Sequence, residues 1–243
     1  MKKRLDSVLV ERGLVSSRER ARALIMENKV LVNGAPCTKP GVAVDVDTAG
    51  ITLRDCDMPY VSRGGMKLDF ALEHFNVDVG GMTALDVGAS TGGFTDCLLV
   101  RGALRVYAVD VGYGQLAWRL RSDNRVIPIE RTNIRYMDKA VIPEDIDISV
   151  VDVSFISLKI VIPAVLKFLG LRGKLVCLIK PQFEVGKGAV GKGGIVREEE
   201  KRIQVVQDLE AFIADIGLDV KGVCQSPIQG QKGNTEYLLY AST

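Results

Sequence analysis

The stretch DVGASTGGF, residues 86 to 94, admits two incompatible chemistries. Gly88-Ala89-Ser90-Thr91-Gly92 fits the G-x-S-x-G turn on which a hydrolase exposes a serine nucleophile. It fits equally a glycine-rich turn that brings backbone amides against a nucleotide-like cofactor. A serine nucleophile of this kind needs a histidine base later in the chain, in the order Ser, acid, His. The single histidine, His74, precedes Ser90 and belongs to the helix-patterned run GMKLDFALEHF, where a half-buried position is expected. The triad fails on order. A cofactor turn needs a strand, a tight glycine turn, a helix start and an acid at the end of the next strand. TALDVG, Gly88 with Gly92, GGFTDCLLVRG and Asp110 supply all four, Asp110 lying about 20 residues beyond Gly88, where a carboxylate accepts ribose hydroxyls. Asp86, Gly88, Ser90, Gly92 and Asp110 are therefore the cofactor-binding candidates. A dinucleotide would call for G-x-G-x-x-G, whereas position 90 is serine. S-adenosylmethionine has no pyrophosphate to seat on the helix N-terminus, and it fits the turn better.

Ligands of open α/β sheets sit at the carboxyl ends of the strands, and beyond the turn those ends carry Asp152 and Lys180. Amino-nitrogen methylation would call for Asn or Asp followed by Pro-Pro-aromatic after the fourth strand, but the chain has Asp152-Val153-Ser154-Phe155. Base-carbon methylation through a thiolate would need a cysteine on a cofactor-side loop, and Cys177 lies inside an apolar strand. Oxygen methylation remains. Gly186-x-x-x-x-Gly191-Lys192 imitates a phosphate-binding P-loop, yet Gly193 stands where that motif needs a hydroxyl for magnesium. EVGKGAVGKGGIV is accordingly read as a basic loop beside the site.

The elements that position these residues follow from periodicity. TALDVG, LRVYAVDVG, RVIPIE, IDISVVDVSF and GKLVCLIKP read as strands, separated by the helical patterns GGFTDCLLVRG, QLAWRLRS and ISLKIVIPAVLKFLG. The long charged helix VREEEKRIQVVQDLEAFIADIG precedes two closing strands, DVKGVCQSP and NTEYLLYAS. Such alternation predicts an α/β fold, a Rossmann-like parallel sheet with helices on both faces, over residues 67 to 243. RDCDMPYVSRGGMK breaks the composition, and residues 59 to 66 within it are read as a linker. Residues 1 to 58 form a small α+β domain. Leu5, Val8 and Leu9 have helical spacing, and Ser16 with Glu19 has the spacing of a capping box opening a second helix that runs to about Asn28. KVLVNGAPC follows as a hairpin turning at Asn33-Gly34, then short strands in VAVDV and GITL. On the second helix Arg18, Arg22 and Lys29 fall within about 40° of one another, beside an apolar stripe of Ala21, Leu24 and Ile25.

Composition narrows the classes. The chain has 243 residues, 47% hydrophobic and 26% charged, which is the balance of a folded soluble protein. Its longest apolar neighbourhood, residues 156 to 171, is broken by Lys159, Pro163 and Lys167, too short for a membrane span. The N-terminus lacks the apolar core and cleavage site of a signal peptide, so a cytoplasmic location is expected. Five cysteines without a C-x-x-C pair and one histidine make no familiar metal set, and no metal is expected. The net charge of +2 hides an asymmetry, since residues 1 to 40 hold nine Lys and Arg against four Asp and Glu. A local basic excess of this kind suits a polyanionic partner.

Two resemblances sharpen these readings. RLDSVLVERGLVSSRERARALIMENKVLVNG resembles the small RNA-binding domain named after ribosomal small-subunit protein four, which implies Arg18, Arg22 and Lys29 as RNA phosphate contacts. The strings S-R-G-G-x-K-L, D-V-G-A-S-T-G-G-F-T-D, V-D-V-S-F-I-S-L, K-P-Q-F-E-V-G-K and the terminal G-N-x-E resemble the FtsJ-type ribose 2′-O-methyltransferases, and the whole chain is similar to the TlyA family. The resemblance implies methylation of ribosomal RNA at a ribose 2′-oxygen of cytidine, with S-adenosylmethionine as the methyl donor. It places the catalytic tetrad on Lys67, Asp152, Lys180 and Glu236, with Lys180 as the base that takes the 2′-hydroxyl proton. An amine acts as a base only when neutral, a state that a second cation such as Lys67 and exclusion of water both favour. The first helix begins by about Arg4 and the chain ends at Thr243, which resembles the family's shorter kind, so methylation of large-subunit RNA alone is expected. Members of the family are also called haemolysins, but no segment here has the spanning or amphipathic character of a membrane-lytic protein. A ribosome assembly factor without catalysis is disfavoured because all four tetrad positions are filled.

Overall fold

The computed structural model describes every residue except 1, 13, 16–17, 47–48, 54–58, 187–189, 192 and 231–232, and the backbone alone at 20 and 53. The chain divides into two units, Met1–Met58 and Pro59–Thr243. In the first, the apolar spacing read from the sequence has a direct consequence. Leu5, Val8 and Leu9 on α1 (Leu5–Glu11) are buried together with Ala21, Leu24 and Ile25 on α2 (Arg18–Met26). The Ser16 half of the expected capping box lies outside the described residues. Asn28, with φ of 62°, takes the left-handed conformation that closes α2. β1 (Lys2–Arg4), which the sequence reading missed, pairs antiparallel with β4 (Ala43–Asp45). β2 (Val30–Val32) and β3 (Ala35–Pro36) turn at Asn33 and Gly34, both at positive φ as a two-residue hairpin requires, and β2 also pairs with β5 (Ile51–Leu53).

The second unit opens with α3 (Arg63–His74). The helix begins inside the stretch read as linker. Tyr60 is buried beneath it, Val61 N donates to Asp96 Oδ2 at 2.7 Å, and a Cβ on Gly65 would lie 2.3 Å from the Tyr60 ring. The glycine pair that looked like a chain break instead permits close packing.

A seven-stranded sheet follows in the order β11-β12-β10-β9-β6-β7-β8, formed by β6 (Thr83–Val87), β7 (Arg105–Val109), β8 (Val126–Ile129), β9 (Ile146–Val151), β10 (Leu169–Ile179), β11 (Asp219–Gln225) and β12 (Tyr237–Ser242). The five strands from β10 to β8 are parallel. β12 departs from the all-parallel expectation, running antiparallel between β10 and β11. No crossover helix links β11 to β12, so the chain can only return in the opposite direction. α4 (Gly93–Val100) and α5 (Trp118–Arg121) join α3 on one face, while α6 (Leu158–Val165) and α8 (Glu199–Asp215) cover the other. α7 (Pro181–Glu184) is a single turn after β10. Every residue of β6 is buried because both its faces are covered.

Candidate active site

The turn after β6 is built by backbone conformations that few residues accept. Gly88 and Gly92 have φ of 88° and 98°, Ser90 has 48°, and Gly92 caps the N-terminus of α4. A Cβ on Gly88 would lie 2.4 Å from the backbone oxygen of Asp152, so the turn and the end of β9 meet backbone to backbone. Asp110, just past β7, accepts from Ser90 N at 2.8 Å and from Gly112 N at 2.6 Å. A carboxylate has about four acceptor sites, so two backbone donors leave capacity for ribose hydroxyls. A turn opened and closed by glycine and facing an acceptor carboxylate fits a nucleoside-bearing cofactor. Asp86 lies beneath the turn rather than on it, fully buried, with Thr95 Oγ1 donating to its Oδ2 at 2.6 Å. Burial pushes its pKa up to about 7, opposed by the Thr95 hydrogen bond and reinforced by the charge of Asp152.

The remaining candidates converge on a cavity of about 500 Å³ that Gly88 and Ser90 also line. Asp152 and Lys180 stand at the carboxyl ends of β9 and β10, and Glu236 precedes β12, whose reversed direction brings its start to the same edge of the sheet. Lys67 reaches in from α3. Lys67 Nζ lies 2.5 Å from Glu236 Oε2, both residues being more than nine-tenths buried. Lys180 Nζ lies 2.6 Å from Asp152 Oδ1 and donates a hydrogen bond of 2.9 Å to Ser154 Oγ. Two ammonium groups, each beside its own carboxylate, thus share one cavity with the glycine turn. The hydrolase alternative has no base here. His74 is exposed at the far end of α3, stacked at 5.6 Å on Phe70 and edge-on at 4.9 Å to Phe75. This corrects the half-buried expectation, because the last turn of α3 leaves that ring to solvent. Cys177 is likewise inert, burial pushing its thiol up to about 12.

In the small unit, Arg18 and Arg22 lie on α2 with their guanidiniums directed to the buried Asp6. Lys29 does not extend their stripe. α2 has already ended, and Lys29 Nζ pairs with Glu27 Oε2 at 2.9 Å.

Residues 60–243 match the model of the FtsJ-like methyltransferase family, and residues 3–48 match the S4 domain. The chain belongs to the FtsJ-like methyltransferase family. The 16S/23S rRNA (cytidine-2'-O)-methyltransferase TlyA of Mycobacterium tuberculosis is 47% identical over 240 residues, 99% of this chain and 90% of that protein. Hemolysin A of Brachyspira hyodysenteriae is 42% identical, covering 98% of each chain. A solved structure, a putative hemolysin from Streptococcus thermophilus, superposes with a TM-score of 0.77 at 43% identity, over 100% of this chain and 88% of that one.

Against this FtsJ-like framework, several cavity residues had escaped the sequence reading. Phe155 is 90% exposed, has φ of 64° and meets Phe183 at 4.9 Å between ring centres. A β-carbon-bearing residue in the left-handed region is strained, and Phe155 holds that conformation where its ring lines the cavity. Its string, V-D-V-S-F, was visible, but its backbone conformation was not. Asn234, in the terminal G-N-x-E, is buried. Its side chain accepts from Val196 N at 3.0 Å and donates to Gly194 O at 2.8 Å, tying the glycine-rich segment to the approach of Glu236. Gly193 and Gly194 form a turn there, and α8 begins only at Glu199, unlike a P-loop. Four residues of that segment lie outside those described. Tyr113 under Arg131 and Tyr136 under Arg135 add two exposed cation–aromatic stacks, with ring-centre distances of 4.1 and 5.1 Å.

Proposed function

We propose that the protein transfers a methyl group from S-adenosylmethionine to a ribose 2′-oxygen of ribosomal RNA, with cytidine as the nucleotide. The observation that carries this reading is the pairing of Lys180 with Asp152 and Lys67 with Glu236 inside the cavity that the glycine turn lines. The M. tuberculosis relative's name supports it. Bound S-adenosylmethionine supplies an electrophilic methyl on a sulfonium. Backbone at Gly88, Ser90 and Gly92 and the Asp110 carboxylate would hold the cofactor, with Asp86 supporting the turn from below. In its neutral form, its own proton lost to solvent, Lys180 takes the proton from the 2′-hydroxyl. Asp152 and Ser154 hold its amine in place, and Lys67 with Glu236 completes the polar wall. Because the leaving group is already cationic, alignment and proton removal are the protein's main tasks. Phe155 and Phe183 offer a stacking surface for a base at the cavity mouth.

Residues 1–58 serve as the RNA-binding domain, through Arg18 and Arg22, and residues 59–243 carry the chemistry. Acting on ribosomal RNA, this protein would work in the cytoplasm. A membrane-lytic function is the second reading, and the hemolysin names among the relatives are what favour it. Among the described residues no helix is long and apolar enough to cross a membrane. The deciding experiment incubates the protein with methyl-labelled cofactor and separated, unmodified ribosomal subunits, then maps the label by nuclease digestion. Label on a cytidine ribose in ribosomal RNA is expected. Label confined to bases, or none in either subunit, overturns the proposal, and the subunit that carries the label tells which ribosomal RNA is the substrate.

A further inference from the structure

Asp6 is the second residue of α1, and its side chain has no exposure to solvent. Its Oδ2 accepts from Arg4 Nη2 at 2.9 Å, Arg22 Nε at 3.3 Å and Arg18 Nη2 at 3.4 Å, while its Oδ1 accepts from Arg4 Nε at 3.1 Å. Arg4 therefore grips the carboxylate with a two-pronged fork. Arg18 and Arg22 each contribute one N–H to it among the described residues. The three arginine side chains are each about half exposed.

Among the described residues, three guanidiniums around one carboxylate leave two positive charges uncompensated within the cluster. One arginine would suffice to neutralise a buried aspartate, and each further cation adds repulsion. An anion arriving from the open side offsets that repulsion. Guanidinium is the group suited to the task, because its N–H donors lie in one plane and match phosphate oxygens two at a time. The cluster also joins two elements, since Arg4 ends β1 while Arg18 and Arg22 rise from α2. The Asp6 carboxyl is held well below the usual carboxylate range, chiefly by the hydrogen bond from Arg4, so the anchor stays charged at neutral pH.

We propose that Asp6 is a positioning residue for RNA binding, its buried carboxylate gathering Arg4, Arg18 and Arg22 into one preformed site for a backbone phosphate. This rests on the reading of the small unit as RNA-binding, and it adds Arg4 to the contact set.

The test turns on a sign. Asp6→Asn leaves the side chain's shape but makes the cluster more positive by one charge. If the arginines acted only as point charges, the full-length variant would bind in-vitro-transcribed 23S rRNA more tightly and with a steeper salt dependence. Positioning requires the opposite, an affinity about tenfold lower and no steeper slope, because one or two long side chains must then be ordered on binding. Binding that is equal or tighter overturns the proposal. Arg4→Lys keeps the charge and loses the fork, and about fivefold weaker binding is expected. This variant decides the matter if circular dichroism shows that Asp6→Asn unfolds the small unit, and wild-type affinity in it overturns the proposal. Arg18→Glu with Arg22→Glu, assayed alongside, separates the two levels. If this pair leaves affinity and salt slope unchanged, the RNA-binding reading fails. If it weakens binding while Asp6→Asn and Arg4→Lys do not, only the positioning role is lost.

Discussion

Replacing Asp86 by Asn tests how burial beneath the glycine turn controls stability. Asp86 is fully buried, its Oδ1 has no hydrogen-bond partner among the described residues, and its pKa is pushed up to about 7 by burial. An aspartate in the unfolded chain titrates near 3.9, so folding favours the protonated form by about 3 pK units, or about 4 kcal/mol. The sign follows. A raised folded value contributes stability that is fully present below pH about 4 and is lost as pH rises to about 7. Asparagine does not titrate, and the Thr95 hydroxyl can still donate to its oxygen. The difference in unfolding free energy between variant and wild type, taken from urea titrations at pH 5 and pH 8, should move in the variant's favour by about 3 kcal/mol. Taking the difference cancels the titrating groups that do not interact with Asp86. Circular dichroism is the suitable probe, because Trp118 is 79% exposed and reports poorly on the core. A difference constant with pH would show that Asp86 titrates as it does in the unfolded chain.

Lys180→Ala should lower methyl transfer by about 10² to 10⁴ while cofactor affinity by calorimetry stays near wild type, and substantial remaining turnover would remove Lys180 as the base. Asp110→Ala should weaken S-adenosylmethionine binding by about tenfold in the same calorimeter, whereas equal affinity would exclude Asp110 from the cofactor site. Glu236→Gln leaves Lys67 buried beside a neutral group and should cost about 3 to 5 kcal/mol in urea unfolding. Adding Lys67→Met should recover much of that loss, and strict additivity of the two changes would refute the pairing. Phe155→Ala should raise the KM for ribosomal RNA by about tenfold or more with kcat less affected, as lost base stacking predicts, and an unchanged KM would leave the exposed ring unexplained.

The local sequence determined those features whose physics is local. Apolar spacing at Leu5, Val8 and Leu9, the Asn33-Gly34 hairpin and the order of strands and helices from residue 83 onward could be read directly, because backbone preference and burial on one face suffice to produce them. The glycine turn and Asp110 were legible for the same reason, their spacing being set by one strand, one helix and the next strand. What the tertiary structure alone decided depends on groups far apart in the chain. Lys67 and Glu236 meet only because β12 enters the sheet reversed, bringing its start to the edge where the parallel strands end. Asp86 was grouped with the cofactor contacts because it opens the glycine motif, yet the packing of α4 places it under the turn. Phe155 gave no sign of its left-handed φ, since nothing in its neighbours' types demands that conformation. The gathering of Arg4, Arg18 and Arg22 on Asp6 joins a strand to a helix across the small core, and a helical wheel shows only one side of such a cluster. Sequence spacing specifies what a single element presents, and the charge partners that hold a side chain in place come from whichever elements pack against it.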